Sequence, residues 1–488
     1  MANQILAGAV FQAGQVIAGV DADNPPVPAV PAAPTVERIL FRSGAQSGQG
    51  YAKSLNLLDP VTMVSTPLPD PTGIITSGFG QMMAQKPDGS LFAVTNYSEN
   101  RLADLTTTNQ SADAVYHGAI HIYDPKNLNS GPVHTIRHHE DEDVSGRGRG
   151  LGGGGILMTN THLYAGIQGW YAGPYESNSS IRNSKMDGRI FKYDLSNLSA
   201  APTIIESPRL AASNLDSSGT PYNVGYGSRI WARGDKIFVY AHSDTTGQTV
   251  DPNNNYKGSG GIYVYDANNF ATGQHTQYLT QQGWWGFGSE MWFDGDDVWI
   301  MAPQPAHGYN VYDHDHGQLW KYSLSDLSAG HSLAVNAEDF RGTHQGGSNN
   351  DRFGRQVVFT DTKIIISSAH EYKDWPQEGY KGYIYIMNKD GSQKLTLTNL
   401  PPNHRTDWTV FGRYMKLVAG KLLISRYSPY GQDTQPGGYY PDGNGELWIY
   451  DPENLGAAPT LWNEAGTVNA NEEVIDSEMV VMNLQLPE

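Results

Sequence analysis

The residue types that could do chemistry are scattered along this chain, and each grouping carries its own test. Tyr312-Asp313-His314-Asp315-His316 has the composition of a metal site. In an extended segment alternate side chains fall on opposite sides, so the two aspartates point one way and the two histidines the other, and no metal is expected there. Asp313, Asp315, Glu371, Asp374, Glu378, Asp433 and Asp442 supply enough acids for a glycosidase-type pair, whose separation a sequence does not fix. His138-His139-Glu140-Asp141-Glu142-Asp143, with Arg147, Arg149 and the glycines 152–155, lacks the closing Gly-Lys-Ser/Thr and the following helix of a phosphate loop, and reads as a solvated connection. Arg233-Gly234-Asp235 spells an adhesion tripeptide, but sibling segments hold tight turns at that place and it reads as a turn. The sequence has no Gly-x-Ser-x-Gly elbow, His-Glu-x-x-His or dinucleotide fingerprint, which argues against esterase, zinc protease and dehydrogenase chemistry. No cofactor is expected.

Aromatic residues are the stronger signal. Trp170, Tyr171, Tyr309, Tyr312, Trp375, Tyr439 and Tyr440 stand among Asn, Gln, Asp and Gly in long polar segments. Flat rings with polar neighbours suit a sugar face or a protein partner, because they bury area while fixing few rotors. These seven are the expected ligand-binding residues. The competing reading is that the rings pack on one another to hold the segments down.

The elements that must position them repeat. Gly118-Ala119-Ile120-His121-Ile122-Tyr123-Asp124 returns as Gly188 to Asp194, Gly260 to Asp266 and Gly445 to Asp451, with weaker copies ending at Asp59, Ser323 and Asn388. Between these copies an aromatic-Gly pair opens a strand at Phe79-Gly80, Tyr226-Gly227, Phe287-Gly288, Phe353-Gly354 and Phe411-Gly412, with Leu151-Gly152 as a degraded sixth. Each unit reads as four antiparallel strands, which is a β-propeller blade, and seven such units predict an all-β, seven-bladed propeller, with six or eight as the alternatives. Glu37 to Arg42 and Glu473 to Met482 are expected to meet in one composite blade that closes the ring. The segments from Tyr97, Gly169, His242, Gln304, His370 and Tyr427 then belong to connections on one disc face, opposite the short turns. The aromatic-Gly openers and Gly-x-Ile-x-x-Tyr-Asp strands resemble the FG-GAP repeats of integrin-alpha-type propellers over roughly residues 36–488. That family carries calcium loops in many first hairpins. Here those hairpins are too short for six or seven oxygen ligands, so no calcium is expected.

Residues 1–35 differ from the rest and are read as a separate arm, with the propeller as residues 36–488. The arm is an apolar, Gln-bearing segment followed by Pro25-Pro26-Val27-Pro28-Ala29-Val30-Pro31-Ala32-Ala33-Pro34, an extended spacer. Phe11, Val16 and Ile17 are the expected buried anchors. The 488 residues contain no Cys and carry a net charge of −18, so disulfides are excluded and nucleic acid is not an expected partner. No basic residue precedes Arg38 and no long apolar run occurs, so neither export by a signal peptide nor membrane insertion is expected. In plan the chain resembles a bacteriophage tail or capsid appendage. That resemblance implies a non-enzymatic virion protein made in the host cytoplasm, whose arm docks on other virion proteins, with homo-oligomers in the particle. Its loop face would bind a receptor, a host-surface glycan or a neighbouring protein. The alternatives are a polysaccharide hydrolase or lyase and an intracellular, cytoplasmic protein-binding scaffold.

Overall fold

The structure is a computed structural model that describes residues 35–47, 50–68, 79–96, 118–137, 151, 153–167, 188–208, 225–242, 260–281, 284–305, 317–341, 353–372, 380–398, 400–401, 410–427, 445–462, 474–475 and 479–486. Among them strands dominate. Among the described residues the one α-helix is the four-residue Glu338–Arg341. Short runs of Val, Ile, Tyr and Phe bounded by Gly and Asp favour a pleated backbone. Phe92–Asn96 and Ala119–Tyr123 are buried at every position. Such strands have a neighbouring sheet on both sides, which is why they read as continuous apolar runs rather than as an alternation.

Six four-stranded antiparallel sheets follow one another along the chain. Numbered as blades 2 to 7, they open with Phe79–Gln85, Ile156–Met158, Tyr226–Arg233, Met291–Asp294, Phe353–Phe359 and Val410–Val418. Blade 1 is composite. Its outer three strands are Val36–Ser47, Gly50–Leu58 and Ser65–Leu68, and its innermost strand comes from the far end of the chain as Val480–Leu484. Ile39 pairs with Val481 and Leu40 with Val480, so the expected closure is present. Seven apolar clusters fill the spaces between blades. Leu40, Leu57, Phe79, Phe92 and Met482 share one of them between blades 1 and 2, while Ile39, Phe41, Tyr414, Leu423 and Leu447 share another between blades 7 and 1. Seven filled interfaces for seven blades leave no open side. The chain is a seven-bladed β-propeller.

The Tyr-Asp signature is structural. Tyr123, Tyr193, Tyr265 and Tyr450 are buried between sheets. The aspartate that follows caps the turn to the outer strand, accepting the backbone N–H two residues on: Asp124 from Lys126 at 2.9 Å, Asp194 from Ser196 at 2.8 Å, Asp266 from Asn268 at 2.8 Å and Asp451 from Glu453 at 2.9 Å. Blade 5 has Ser323 in that place. There Asp296 of the adjacent hairpin turn substitutes, accepting from Ser323 Oγ at 2.6 Å and from the Ser325 backbone N–H at 2.9 Å.

On this short-turn face, the hairpin of one blade holds the capped turn of the next. Asp294 meets Lys389 at 2.8 Å, Lys363 meets Glu453 at 3.0 Å, and Lys421 Nζ donates to the Pro60 carbonyl at 2.8 Å. Arg233 and Lys236 pair across Gly234-Asp235, so the Arg-Gly-Asp triplet is the expected hairpin. Both ends of the ring lie on this face as well. Val36 pairs with Leu484, and Gln485 N–H donates to Gly89 O in the first hairpin of blade 2 at 3.0 Å.

Candidate functional site

The aromatic-Gly openers build the inner wall. In blade 6 Phe353 pairs with Ser368 and Val357 with Ile366, so three residues of the first strand stand opposite one of the second. Blades 2 and 7 repeat the bulge between Phe79 and Met83 and between Phe411 and Met415. A bulge exposes a backbone N–H that the sheet no longer pairs. A hydroxyl from the second strand takes it: Thr95 accepts from Met82, Ser367 from Gln356 and Ser425 from Tyr414, each at 3.0 Å. The opener's glycine makes the bend. Gly412 sits at φ +84°, and a Cβ there would stand 2.5 Å from Ile384 Cδ1 of blade 6. In blades 3 to 6 the glycine at the start of the third strand abuts the next opener, as a Cβ on Gly260 would lie 2.8 Å from Phe287 O and one on Gly317 2.8 Å from Phe353 O. The two sequence signatures are thus two halves of one contact between blades.

Side chains that follow three of the openers meet. Arg229 of blade 4, Glu290 at the start of blade 5 and Arg355 of blade 6 converge, with Arg229 Nη2 3.4 Å and Arg355 Nη1 3.7 Å from the same oxygen, Glu290 Oε1. Arg229 Nη1 lies 3.1 Å from Met82 Sδ of blade 2, reaching past blade 3. Blade 3 allows this because its opening is glycine. Gly153, Gly154 and Gly155 are buried, and Gly155 N–H donates to Gly227 O at 2.8 Å. Gly153 to Gly155 are therefore packed backbone between blades, which corrects the reading of these glycines as part of a solvated connection, while residues 138–150 of that stretch lie outside the described residues. A Cβ on Gly155 would stand 2.5 Å from the Ile230 nitrogen, so only glycine permits the approach. Arg413 of blade 7 occupies the place after the opener that Arg355 holds in blade 6, with its guanidinium 5.5 Å from the Tyr414 ring.

First strands run inward from the blade-to-blade connections, so this cluster sits at the channel end opposite the short turns. The group is largely screened from water: the side chains of Arg229, Glu290 and Arg355 are 26%, 12% and 27% exposed. Tyr240, buried beside it, has its phenol pushed well above the ordinary range, by burial first and by the Glu290 charge second, with Arg229 opposing. Its hydroxyl lies 3.2 Å from His242 Nδ1. The arrangement presents guanidinium donors and one carboxylate acceptor at the axis, which is a binding constellation for a polar, charged group.

Nothing in the sequence reading pointed to Arg229, Glu290 or Arg355. The signal is present, since each stands one or two residues after an aromatic-Gly pair, but the pairs by themselves read only as repeat marks. The seven predicted ligand-binding residues, Trp170, Tyr171, Tyr309, Tyr312, Trp375, Tyr439 and Tyr440, lie outside the described residues, as do the anchors Phe11, Val16 and Ile17. What is described is where their connections begin: second strands end at Asn96, Ile167, Ala241, Ala302, Tyr372 and Tyr427, all on the channel-mouth face. Among the described residues no three or more His, Asp or Glu side chains gather as metal ligands would.

No family model matches the sequence, and no curated protein matches it. Solved structures do. The periplasmic gluconolactonase of Pseudomonas aeruginosa is similar at 11% identity and TM-score 0.47, over 92% of this chain and 99% of that one. An acylaminoacyl peptidase is similar at 10% identity and TM-score 0.43, over 88% of this chain, which spans 52% of the peptidase's length. TolB from Acinetobacter baumannii is similar at 11% identity and TM-score 0.35, over 73% and 62%. At these identities the likeness concerns fold alone.

Proposed function

We propose that the protein is a non-enzymatic recognition disc of a virus particle, an FG-GAP-like propeller displayed as a bacteriophage tail or capsid appendage. The observation that carries this reading is the opposition of the two faces. Val36 begins its strand on the short-turn face, while the long connections and the Arg229, Glu290 and Arg355 cluster belong to the other. An arm of residues 1–35 joined at Val36 would dock the short-turn face toward the particle, leaving the loop face outward for a host-surface glycan or protein. The Asp-capped turns and inter-blade ion pairs suit a face that stays put. The partners are other virion proteins through the arm, and the site of synthesis is the host cytoplasm.

A second reading, a hydrolase or lyase acting on polysaccharide, is favoured by Glu290, a carboxylate held between two guanidiniums beside the channel. One experiment separates the two. The purified full chain is incubated with host-envelope preparations and with bacterial and algal polysaccharides, and both retention and new reducing ends or unsaturated sugars are followed. Retention without turnover supports recognition. Sustained turnover that vanishes on a single carboxylate substitution defeats it.

A further inference from the structure

Ring closure leaves one place on the short-turn face unlike the rest. Elsewhere the hairpin that joins a blade's first two strands holds the capped turn of the next blade, as Asp294 meets Lys389 at 2.8 Å and Lys363 meets Glu453 at 3.0 Å. In blade 1 those two strands are Val480–Leu484 and Val36–Ser47, from opposite ends of the chain, so among the described residues no hairpin covers the groove toward blade 2. The side chains bordering that groove are apolar. Among the described residues the exposed large hydrophobic side chains are Val36, Val61, Val64, Val133, Leu333 and Leu395, and the first four stand at the short-turn end of blades 1 and 2. Alternation along the strands gives three of them a direction. Val36 is on the side of Leu40. Val64 is on the side of Thr66, which pairs with Leu57, and Val133 on the side of Thr135, which pairs with His121, whose ring meets that of Phe79. Leu40, Leu57 and Phe79 belong to the cluster between blades 1 and 2, so the three valines line one groove, over the partly buried Leu128 and Leu486 that pack on the same cluster. Single exposed valines are ordinary, whereas three along one groove mark a surface for an occupant.

The chain itself enters at this groove. Thr35, where the described residues begin, has its Cγ2 3.2 Å from the place that a Cβ on Gly89 of blade 2 would take. Before it comes the proline tract, whose spacing is strict: Pro25, Pro28, Pro31 and Pro34 are three apart, and so are Val27, Val30, Ala33 and Val36. A polyproline helix has three residues per turn, so one edge of such a segment is proline and another is Val27, Val30 and Ala33, in line with Val36. Val64 stands two strands outward of Val36, about 10 Å at the usual spacing between strands. Three residues of polyproline advance about 9 Å, so Ala33 and Val30 come level with the groove's valines. No residue from Pro25 to Thr35 carries a charge that would hold the tract in water. We infer that residues 25–34 lie in the groove between blades 1 and 2 as a polyproline strut of the same chain, with Val30 and Ala33 against Val64, Val133 and Leu128. The strut takes the place of the missing hairpin and fixes the direction in which the arm leaves the disc. A segment already extended suits this role, since it loses little backbone freedom on docking. The inference rests on the reading of residues 1–35 as an arm and deepens it, replacing a loose tether by a rigid mount.

The test exploits the absence of cysteine from the sequence. Nitroxides on Ala29→Cys, at the strut's third edge, and on Lys126→Cys, in the capped turn of blade 2, report one distance by pulsed electron spin resonance on the full chain. A docked strut gives a single narrow peak. A strut pivoting at Thr35 would carry Ala29, six residues away and so about 19 Å out, through a spread approaching about twice that length. Val30→Gln on the strut should broaden the peak toward that spread, and so should Val64→Ser combined with Val133→Ser in the groove. Leu395→Ser, on the outer strand of blade 6, should leave it unchanged. Thermal unfolding checks the groove variant, and Val30→Gln alters no residue of the disc, so it decides the matter even where the groove variant fails to fold. A broad distribution in the parent, or a narrow one that Val30→Gln leaves unchanged, overturns the inference. So does a peak that vanishes when labelled chain is diluted with an excess of unlabelled chain, because the strut then lies on a second copy. Retention on envelope preparations, read on the same proteins, keeps the two readings apart. A broad distribution with retention intact removes the strut and leaves the recognition disc, and a narrow one without retention does the reverse.

Discussion

Replacing Gly412 by Ala adds one methyl group to the opener of blade 7, and the structure allows its cost to be split. Gly412 sits at φ +84°, where an L side chain is strained, and the new Cβ would stand 2.5 Å from Ile384 Cδ1 and 3.0 Å from Ser367 Cβ. Gly420, in the hairpin at the other end of the same strand, sits at φ +71° with no atom within 4 Å of a Cβ. Gly420→Ala therefore carries backbone strain alone, about 1–2 kcal/mol. Gly412→Ala carries the same strain plus overpacking of about 1–3 kcal/mol, and so about 2–5 kcal/mol in all. Urea denaturation of the two variants and the parent, followed by tryptophan fluorescence and by far-ultraviolet dichroism, reads the difference, provided that the two probes report one transition. Equal losses for the two variants would refute the claim that the opener glycine is a contact between blades.

Ser367→Ala and Ser425→Ala each strip the hydroxyl from a buried bulge N–H and should each cost about 1–3 kcal/mol in the same denaturation assay. Asp194, Asp296, Asp326 and Asp390 are held below the ordinary carboxylate range by serine hydroxyls, those of Ser196, Ser323 with Ser325, Ser328 and Ser392 respectively. Because these folded-state values are depressed, the stabilisation from these four aspartates is fully present above the ordinary aspartate value of 3.8 and is lost as pH falls below it, so a stability profile should steepen beneath that value, with Asp296→Asn reducing the slope there. Removing residues 479–488 leaves Val36 to Leu40 without their inner partner, and size-exclusion chromatography should then find aggregates. Trp170→Ala, Tyr312→Ala, Trp375→Ala and Tyr440→Ala should each weaken retention on the glycan or envelope ligand by about 2–4 kcal/mol with thermal unfolding unchanged.

The architecture was legible because a propeller imposes the same local demand on every blade. A strand buried on both faces needs an apolar run, a tight approach needs glycine, and a capped turn needs Asp, so Gly118 to Asp124 recurs almost residue for residue. Blade 1 was legible by subtraction: residues 36–70 lacked an opener and the distal segment ending at Met482 lacked a sheet. Blade 3 was harder, because its opener is replaced by the glycines that let Arg229 pass. The channel cluster was not legible, since Arg229, Glu290 and Arg355 lie about sixty residues apart in sequence, and only ring closure turns three separate charges into neighbours. Tyr322-Ser323 shows the same limit on a small scale. Its missing aspartate is supplied by Asp296, a substitution visible only once the hairpin and the capped turn are seen side by side.

The pairing of Val36–Leu40 with Val480–Leu484 also sets a schedule for making the molecule. During synthesis at about 5–20 residues per second, the strand that begins at Val36 waits roughly 20–90 s for its inner neighbour to leave the ribosome. Blades 2 to 7 can each form from a contiguous stretch in that time, but blade 1 cannot. Its edge stays open to any passing strand until the final inner strand arrives. Closure is consequently the last event of folding and the slowest to be found by chance, since loop-closure entropy must be overcome across nearly the whole chain. A cell that limits translation or removes stalled chains would thereby filter out propellers whose first blade is still open.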